Sequence, residues 1–151
     1  MKNFIKVVAG CVLGVLSIVS LSSCSKMEQA EKKIVGKWQS TSCTVKTYEV
    51  GKLVDEGSET CVDWYRGFNF KSDNTGQEID YSKGSSETWP ITWVIMGDKL
   101  MVTEAMDEET ETYDIISISG DSMTLEQSDE WTAVNGLRYK EIETFYFKKI
   151  K

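Results

Sequence analysis

The sequence predicts an all-β protein, an antiparallel up-and-down barrel of about eight strands preceded by a short helix. Three observations lead there. From Gly36 onward apolar residues recur at every second position, the period of a strand with one buried face. The periodic runs are separated by short turn signatures such as Lys71-Ser72-Asp73-Asn74-Thr75-Gly76 and Gly97-Asp98, since Asn and Gly tolerate the left-handed dihedrals that tight turns need. No amphipathic segment is long enough to cover a one-faced sheet. Rolling the sheet up on itself buries that face and removes its unpaired edges.

In chain order, Lys2-Asn3-Phe4-Ile5-Lys6 is a short basic start, and residues 7–21 (VVAGCVLGVLSIVSL) are an apolar run. That run falls short of the roughly 20 residues a membrane-spanning helix needs and fits a secretory leader. It ends in Leu21-Ser22-Ser23-Cys24, which resembles the lipobox of bacterial lipoproteins. The resemblance implies that residues 1–23 are a signal peptide and that Cys24 carries two or three acyl chains, enough for a stable anchor. Ser25 is not the aspartate associated with inner-membrane retention in some bacteria, so the expected location is the bacterial outer membrane, on either face. Residues 24–33 are then a lipidated tether and short helix, with helix expected from Met27 to Val35, and residues 34–151 are the barrel domain.

The first strand is GKWQSTSCTVKTY, from Gly36. Residues 61–70, CVDWYRGFNF, alternate through Val62 and Trp64 and resume at Phe68 and Phe70, with Gly67 placed for a bulge or sharp coil. GQEIDYS follows, then ETWPITWVIMG with Trp89, Ile91, Trp93 and Ile95 on one face. Pro90 argues that this strand starts at an edge, a bulge or its first residues. KLMVTEAM, ETYDIISI, MTLEQS and GLRYKEIETFYFKKI complete the set, with Phe145 and Phe147 inward in the last.

The order Ile34-Val35-Gly36-Lys37-Trp38, then Phe68 through Gly76, then Trp93 through Leu100 is similar to the lipocalin-like domains of uncharacterised bacterial lipoproteins of Bacteroidota type. Gly36-x-Trp38 resembles the Gly-x-Trp of the lipocalin superfamily, which implies that Trp38 plugs the closed base of the barrel. The cysteine pair of this chain does not match the disulfide that ties the C-terminal segment to the barrel in animal lipocalins.

Composition narrows the function. The chain carries 17 basic and 24 acidic residues, a net charge of −7, and Lys2 and Lys6 belong to the leader, so nucleic acid is not an expected partner. There is no histidine, which excludes Ser-His-Asp and Cys-His machinery and histidine-dependent metal sites. No phosphate loop or nucleotide fingerprint occurs. Asp107, Glu108, Glu109 and Glu111 lack the pattern of a calcium loop and read as a solvated hairpin tip. No catalysis, metal or cofactor is expected. Cys43 and Cys61 remain after Cys11 and Cys24 are assigned to leader and lipid. In an oxidising compartment they are expected to form a structural disulfide contributing roughly 3 kcal/mol, with free thiols as the alternative.

Five tryptophans and six methionines supply the remaining clue. Trp64, Trp89, Trp93 and Met101 are candidate lining for an apolar cavity, although a barrel of this size also fills its interior with its own side chains. Trp131, in the connection QSDEWTAVNGLRY, is a candidate lid or interaction anchor at the rim, or a loop residue folded back on the barrel. The expected function is a lipid-anchored envelope protein that binds or carries a small apolar or amphipathic ligand. The alternative is a module that binds an envelope protein or a glycan with a packed barrel interior.

Overall fold

The computed structural model describes residues 28–151; the leader and Cys24 lie outside the described residues. A helix, α1, spans residues 28–34. It leads into nine strands: β1 (Gly36–Glu49), β2 (Lys52–Thr60), β3 (Trp64–Phe70), β4 (Thr75–Ser82), β5 (Ser85–Met96), β6 (Lys99–Glu104), β7 (Thr110–Ile118), β8 (Ser122–Thr132) and β9 (Arg138–Ile150). All strand pairs are antiparallel; from β3 to β9 each strand pairs with the next in the chain, and β1 pairs with β9 to close the ring. The N-terminal part of β1 pairs with β3, through Trp38 opposite Phe68, while its C-terminal part pairs with β2, through Cys43 opposite Glu59. β2 and β3 therefore run along one side of β1 as a single stave broken at residues 61–63. The result is a closed eight-stave barrel.

Residues 61–63 are not strand, and Val62 is exposed, which corrects the expected strand over residues 61–70. β2 carries no alternation of apolar residues because all nine of its residues are exposed, so the periodicity that marks the other strands is missing there. Trp131 lies within β8 opposite Tyr139, not in a connection. Gly67 lies in unbroken register with Ile79, so no bulge occurs there. A Cβ at Gly67 would meet the carbonyl oxygen of Trp38 at 3.0 Å, and close approach of β1 is what the glycine serves. Pro90 sits inside β5, opposite Gln77. The Trp93 N–H points to β4, donating to Asn74, so by alternation the Pro90 nitrogen faces β6. The β6 ladder ends at Glu104 opposite Ile91; just beyond it Ala105 N–H donates to the Pro90 carbonyl at 3.0 Å, and the proline removes only the reciprocal bond at the ladder's end.

Inward positions follow from the two-residue period. The lower half of the barrel is filled by Trp38, Phe68, Phe70, Trp93, Ile95, Leu100, Tyr113, Met123, Leu125 and Phe147, all buried. Phe68 stacks on Phe70 with centroids 5.1 Å apart and meets Tyr113 edge-on at 6.1 Å, and Phe70 meets Trp93 at 5.5 Å. Full burial of each such side chain stabilises the fold by roughly 1.5–3 kcal/mol. One end is plugged. Ile34 of α1 is fully buried, and the Trp38 indole N–H donates to its carbonyl at 2.6 Å. Lys149 Nζ lies 4.9 Å above the Trp38 ring and donates to the Lys33 carbonyl at 2.8 Å. Gly36 makes room for this arrangement: at φ 133° a Cβ would lie 2.5 Å from Lys149 Cε.

Candidate functional site

Above the aromatic floor the interior changes character. Arg66 projects inward from β3 between Trp64 and Phe68, and its guanidinium collects acceptors from two other strands. Nε lies 3.2 Å from Glu78 Oε1 and 3.9 Å from Asp80 Oδ1, both on β4. Nη1 lies 3.2 Å from Glu111 Oε2 and donates to the Tyr113 hydroxyl at 2.7 Å, both on β7. The Tyr113 hydroxyl donates in turn to Glu111. The guanidinium also sits 5.6 Å from the centroid of Phe145 on β9, and the Arg66 backbone N–H donates to Ser40 Oγ on β1 at 3.0 Å.

Carboxylates outnumber the cation. Glu104 follows Leu100 and Val102 on the inner face of β6, and Glu143 lies two residues from Phe145 on β9. Burial pushes the Glu78 carboxyl up to about 7; Arg66 opposes the shift, while the charges of Glu111 and Asp80 add to it. Desolvation and neighbouring acids likewise raise Glu104 and Glu143. Burial raises the Tyr113 phenol as well, against the pull of Arg66 and with the help of Glu111. For Arg66 burial alone favours loss of the proton, but Tyr113, Glu111, Glu78 and Asp80 override it and hold the guanidinium charged.

Beyond this network the barrel opens. A cavity of about 430 Å³ at the mouth is lined by Cys43, Val45, Trp64 and Phe145, with Glu59, Asp80 and Glu143 among its walls. The long strands β1, β2, β8 and β9 continue past it as a four-stranded flap. On its barrel-facing side Asp55, Thr47, Glu141 and Asp129 form one cross-strand row, and Glu49, Tyr139 and Trp131 form the next. The opposite side pairs its charges, with Lys46 on Glu56 at 3.2 Å and Lys140 on Glu130 at 3.6 Å. At the flap tip a groove of about 620 Å³ is bordered by Tyr48, Trp131, Tyr139 and Ile142.

The structure separates the expected lining residues. Trp64 borders the mouth cavity. Trp89 lies on the inner face of β5 opposite Glu78 and is half-buried. Trp93 is 4 % exposed, and its indole N–H donates to the Thr75 carbonyl at 3.1 Å, so it belongs to the packed floor. Met101 faces outward opposite Val94, because it alternates with the buried Leu100 and Val102; it does not line the interior. Trp131 is 41 % exposed and stacks on Tyr139 with centroids 5.6 Å apart. Cys43 and Cys61 are free thiols, which corrects the expected disulfide. Cys61 accepts a hydrogen bond from Ser40 at 3.5 Å, and burial together with the nearby Cys61 raises the Cys43 thiol. Missing from the sequence reading was the Arg66 network. Its signal was parity: Arg66 shares the register of Trp64 and Phe68, Glu78 that of Gly76, and Glu111 that of Tyr113.

A closed antiparallel barrel, plugged at its base by a helix and open at the other end, is a cup-shaped binding fold. Residues 34–125, more than half of the chain, match the lipocalin-like domain, and the chain belongs to that family. Similar solved structures include a lipocalin-like protein from Bacteroides uniformis, at a TM-score of 0.50 and 16 % identity over 78 % of this chain and 99 % of that one. An uncharacterized protein from Bacteroides eggerthii gives 0.49 and 14 % over 77 % and 98 %. Apocrustacyanin C2 gives 0.50 and 9 % over 85 % and 67 %. At these identities the shared property is the fold. A search of curated proteins finds no match.

Proposed function

We propose that this protein is a lipid-anchored envelope protein that holds a small amphipathic ligand in the mouth of its barrel, without catalysis. The observation that carries the reading is the asymmetry of the interior. The base is plugged and the lower half packed with aromatic rings, whereas the upper end opens into a cavity walled by apolar and ionisable side chains together. A ligand seated there rests an apolar part on Trp64, Val45 and Phe145 and presents a polar part to the charged walls. Native mass spectrometry of residues 25–151, expressed into a periplasm and purified without added lipid, tests it. A discrete adduct lost on mild activation supports a small-molecule binder. An unliganded peak that stays unliganded after incubation with amphiphiles of different headgroups overturns it.

The anchor rests on Leu21-Ser22-Ser23-Cys24 and the leader before it, and the outer membrane is the proposed location. Cells fed labelled palmitate are expected to label the wild type and not Cys24→Ser; equal labelling removes the anchor from the proposal. A second reading, a module for an envelope protein or glycan, is favoured by the exposed Trp131–Tyr139 stack beside the groove at the flap tip. Substituting Trp131 by alanine separates the two, because that residue lies outside the mouth cavity.

A further inference from the structure

The walls of the mouth constrain the ligand's polar end. We propose that it is an organic cation, seated over the apolar floor of Trp64, Val45 and Phe145 between Glu59, Asp80 and Glu143; this rests on the mouth being the binding site. Charge complementarity carries the inference, from three sides. First, an anionic headgroup finds no free partner. Arg66 is the cation lining the mouth cavity, and it is already engaged by Glu78, Glu111, Asp80 and Tyr113. A fatty acid carboxylate entering here meets carboxylates before it meets the guanidinium, and like charges in a low-dielectric setting repel strongly.

Second, the acidic character continues from the mouth up the barrel-facing side of the flap through Glu141, Asp129 and Asp55. The opposite side carries lysines in ion pairs with glutamates. The barrel-facing side is thus mainly acidic: Lys52 stands opposite Glu49 at the tip and Asp80 lies near Arg66, while Glu59, Glu143, Glu141, Asp129 and Asp55 have no basic residue opposite them in the strand register. A concave surface with such an excess of one sign concentrates ligands of the other.

Third, the cation is not a metal ion. Among the described residues no three His, Cys, Asp or Glu side chains come together closely enough to hold one. The acids are spread around an opening of about 430 Å³ floored by aromatic and aliphatic carbon. That spacing suits an ammonium or guanidinium on an apolar stem, whose stem packs on the floor while the head contacts the acids and the face of Trp64.

Isothermal titration of residues 25–151, which contain the whole closed barrel, with three ten-carbon amphiphiles below micelle formation tests this. The probes are decyltrimethylammonium, decyl maltoside and decyl sulfate. The expected order is cation over neutral by at least about tenfold, with the sulfate weakest. In the double variant Glu59→Gln/Glu143→Gln the cation's advantage over the maltoside is expected to disappear. Glu56→Gln, on the opposite face of β2, is expected to leave it unchanged. Equal affinity for cation and neutral probe, a preference for the sulfate, or an equal loss in Glu56→Gln overturns the cationic assignment and leaves the mouth as an amphiphile site. Failure of all three probes to bind removes the site as well as the assignment.

Discussion

Glu78 is the group whose chemistry most directly reports the buried network. Its side chain is 6 % exposed, and burial together with the surrounding acids moves its pKa from an ordinary 4.5 to about 7 despite Arg66 at 3.2 Å. Each pKa unit corresponds to about 1.4 kcal/mol, so ionising Glu78 costs the native state roughly 3 kcal/mol relative to the unfolded chain. The sign follows from proton linkage. Between pH 4.5 and about 7 the native protein keeps a proton that the unfolded chain has lost, so this group's contribution to stability falls as pH rises through that window. Glu78→Gln keeps the size and an oxygen for the Arg66 donor but cannot ionise. The variant is therefore expected to match the wild type near pH 4.5 and to exceed it by ~2–3 kcal/mol above pH 8. Urea unfolding of both proteins at intervals from pH 4.5 to 8.5 measures the difference, and taking the difference cancels the titration of the groups that are not coupled to Glu78. Two parallel stability curves, or a variant that loses ground as pH rises, would refute the reasoning.

Arg66→Met leaves Glu78 and Glu111 facing each other without their cation and is expected to cost about 3–5 kcal/mol at pH 7, read by urea midpoint; a loss below about 1 kcal/mol contradicts the network. Val50 occupies the turn between β1 and β2 at φ 48°, beside Gly51 at φ 81°, and is 66 % exposed. Val50→Asn, suited to two successive left-handed residues, is expected to raise stability by about 1 kcal/mol, and an unchanged thermal midpoint counts against the turn geometry. Both Cys43 and Cys61 are expected to take a maleimide mass tag in denaturant without reductant. In the native protein Cys61 should react first, because Cys43 is buried and its thiol pKa is raised; absence of both tags in denaturant means a disulfide.

Most of the barrel was legible because its signal is local. A strand with one face in an aromatic core must alternate, and GKW, GFNF, ITWVI and FYF do. β2 escaped for the same reason, since a flap strand exposed on both faces has no need to alternate. Trp131 was read as a loop residue because the run Gln127-Ser128-Asp129-Glu130 before it is polar; those residues extend β8 against β9 beyond the core. The ionic network was hidden by the opposite problem. Its members sit in alternating runs, where an inward Arg or Glu reads as a break in the pattern. What assembles them is the closure that brings β3, β4 and β7 around one axis, and no local period encodes that. The cysteines show the limit of spacing arguments, because Cys43 lies opposite Glu59 in the β1–β2 register and the spacing alone gave no hint of this offset.

The placement of plug and mouth at opposite ends has a consequence for how the molecule works. α1 and the start of β1 lie at the base, while the turn at Val50 and Gly51 lies at the flap tip, fourteen residues of strand away. At about 3.3 Å per residue this is roughly 45 Å. Whatever precedes residue 28 is therefore attached at the plugged end. If the chain is tethered to a bilayer through Cys24, the base faces the lipid and the mouth faces away from it, so a ligand enters from the aqueous side and not directly from the membrane. That orientation agrees with a mouth walled by carboxylates, which an anionic bilayer surface would repel and an aqueous phase solvates. It also separates two regions within one barrel: the aromatic lower half is filled by buried side chains and supplies stability, and the ionic upper half spends part of that stability on desolvating Glu78 beneath the opening.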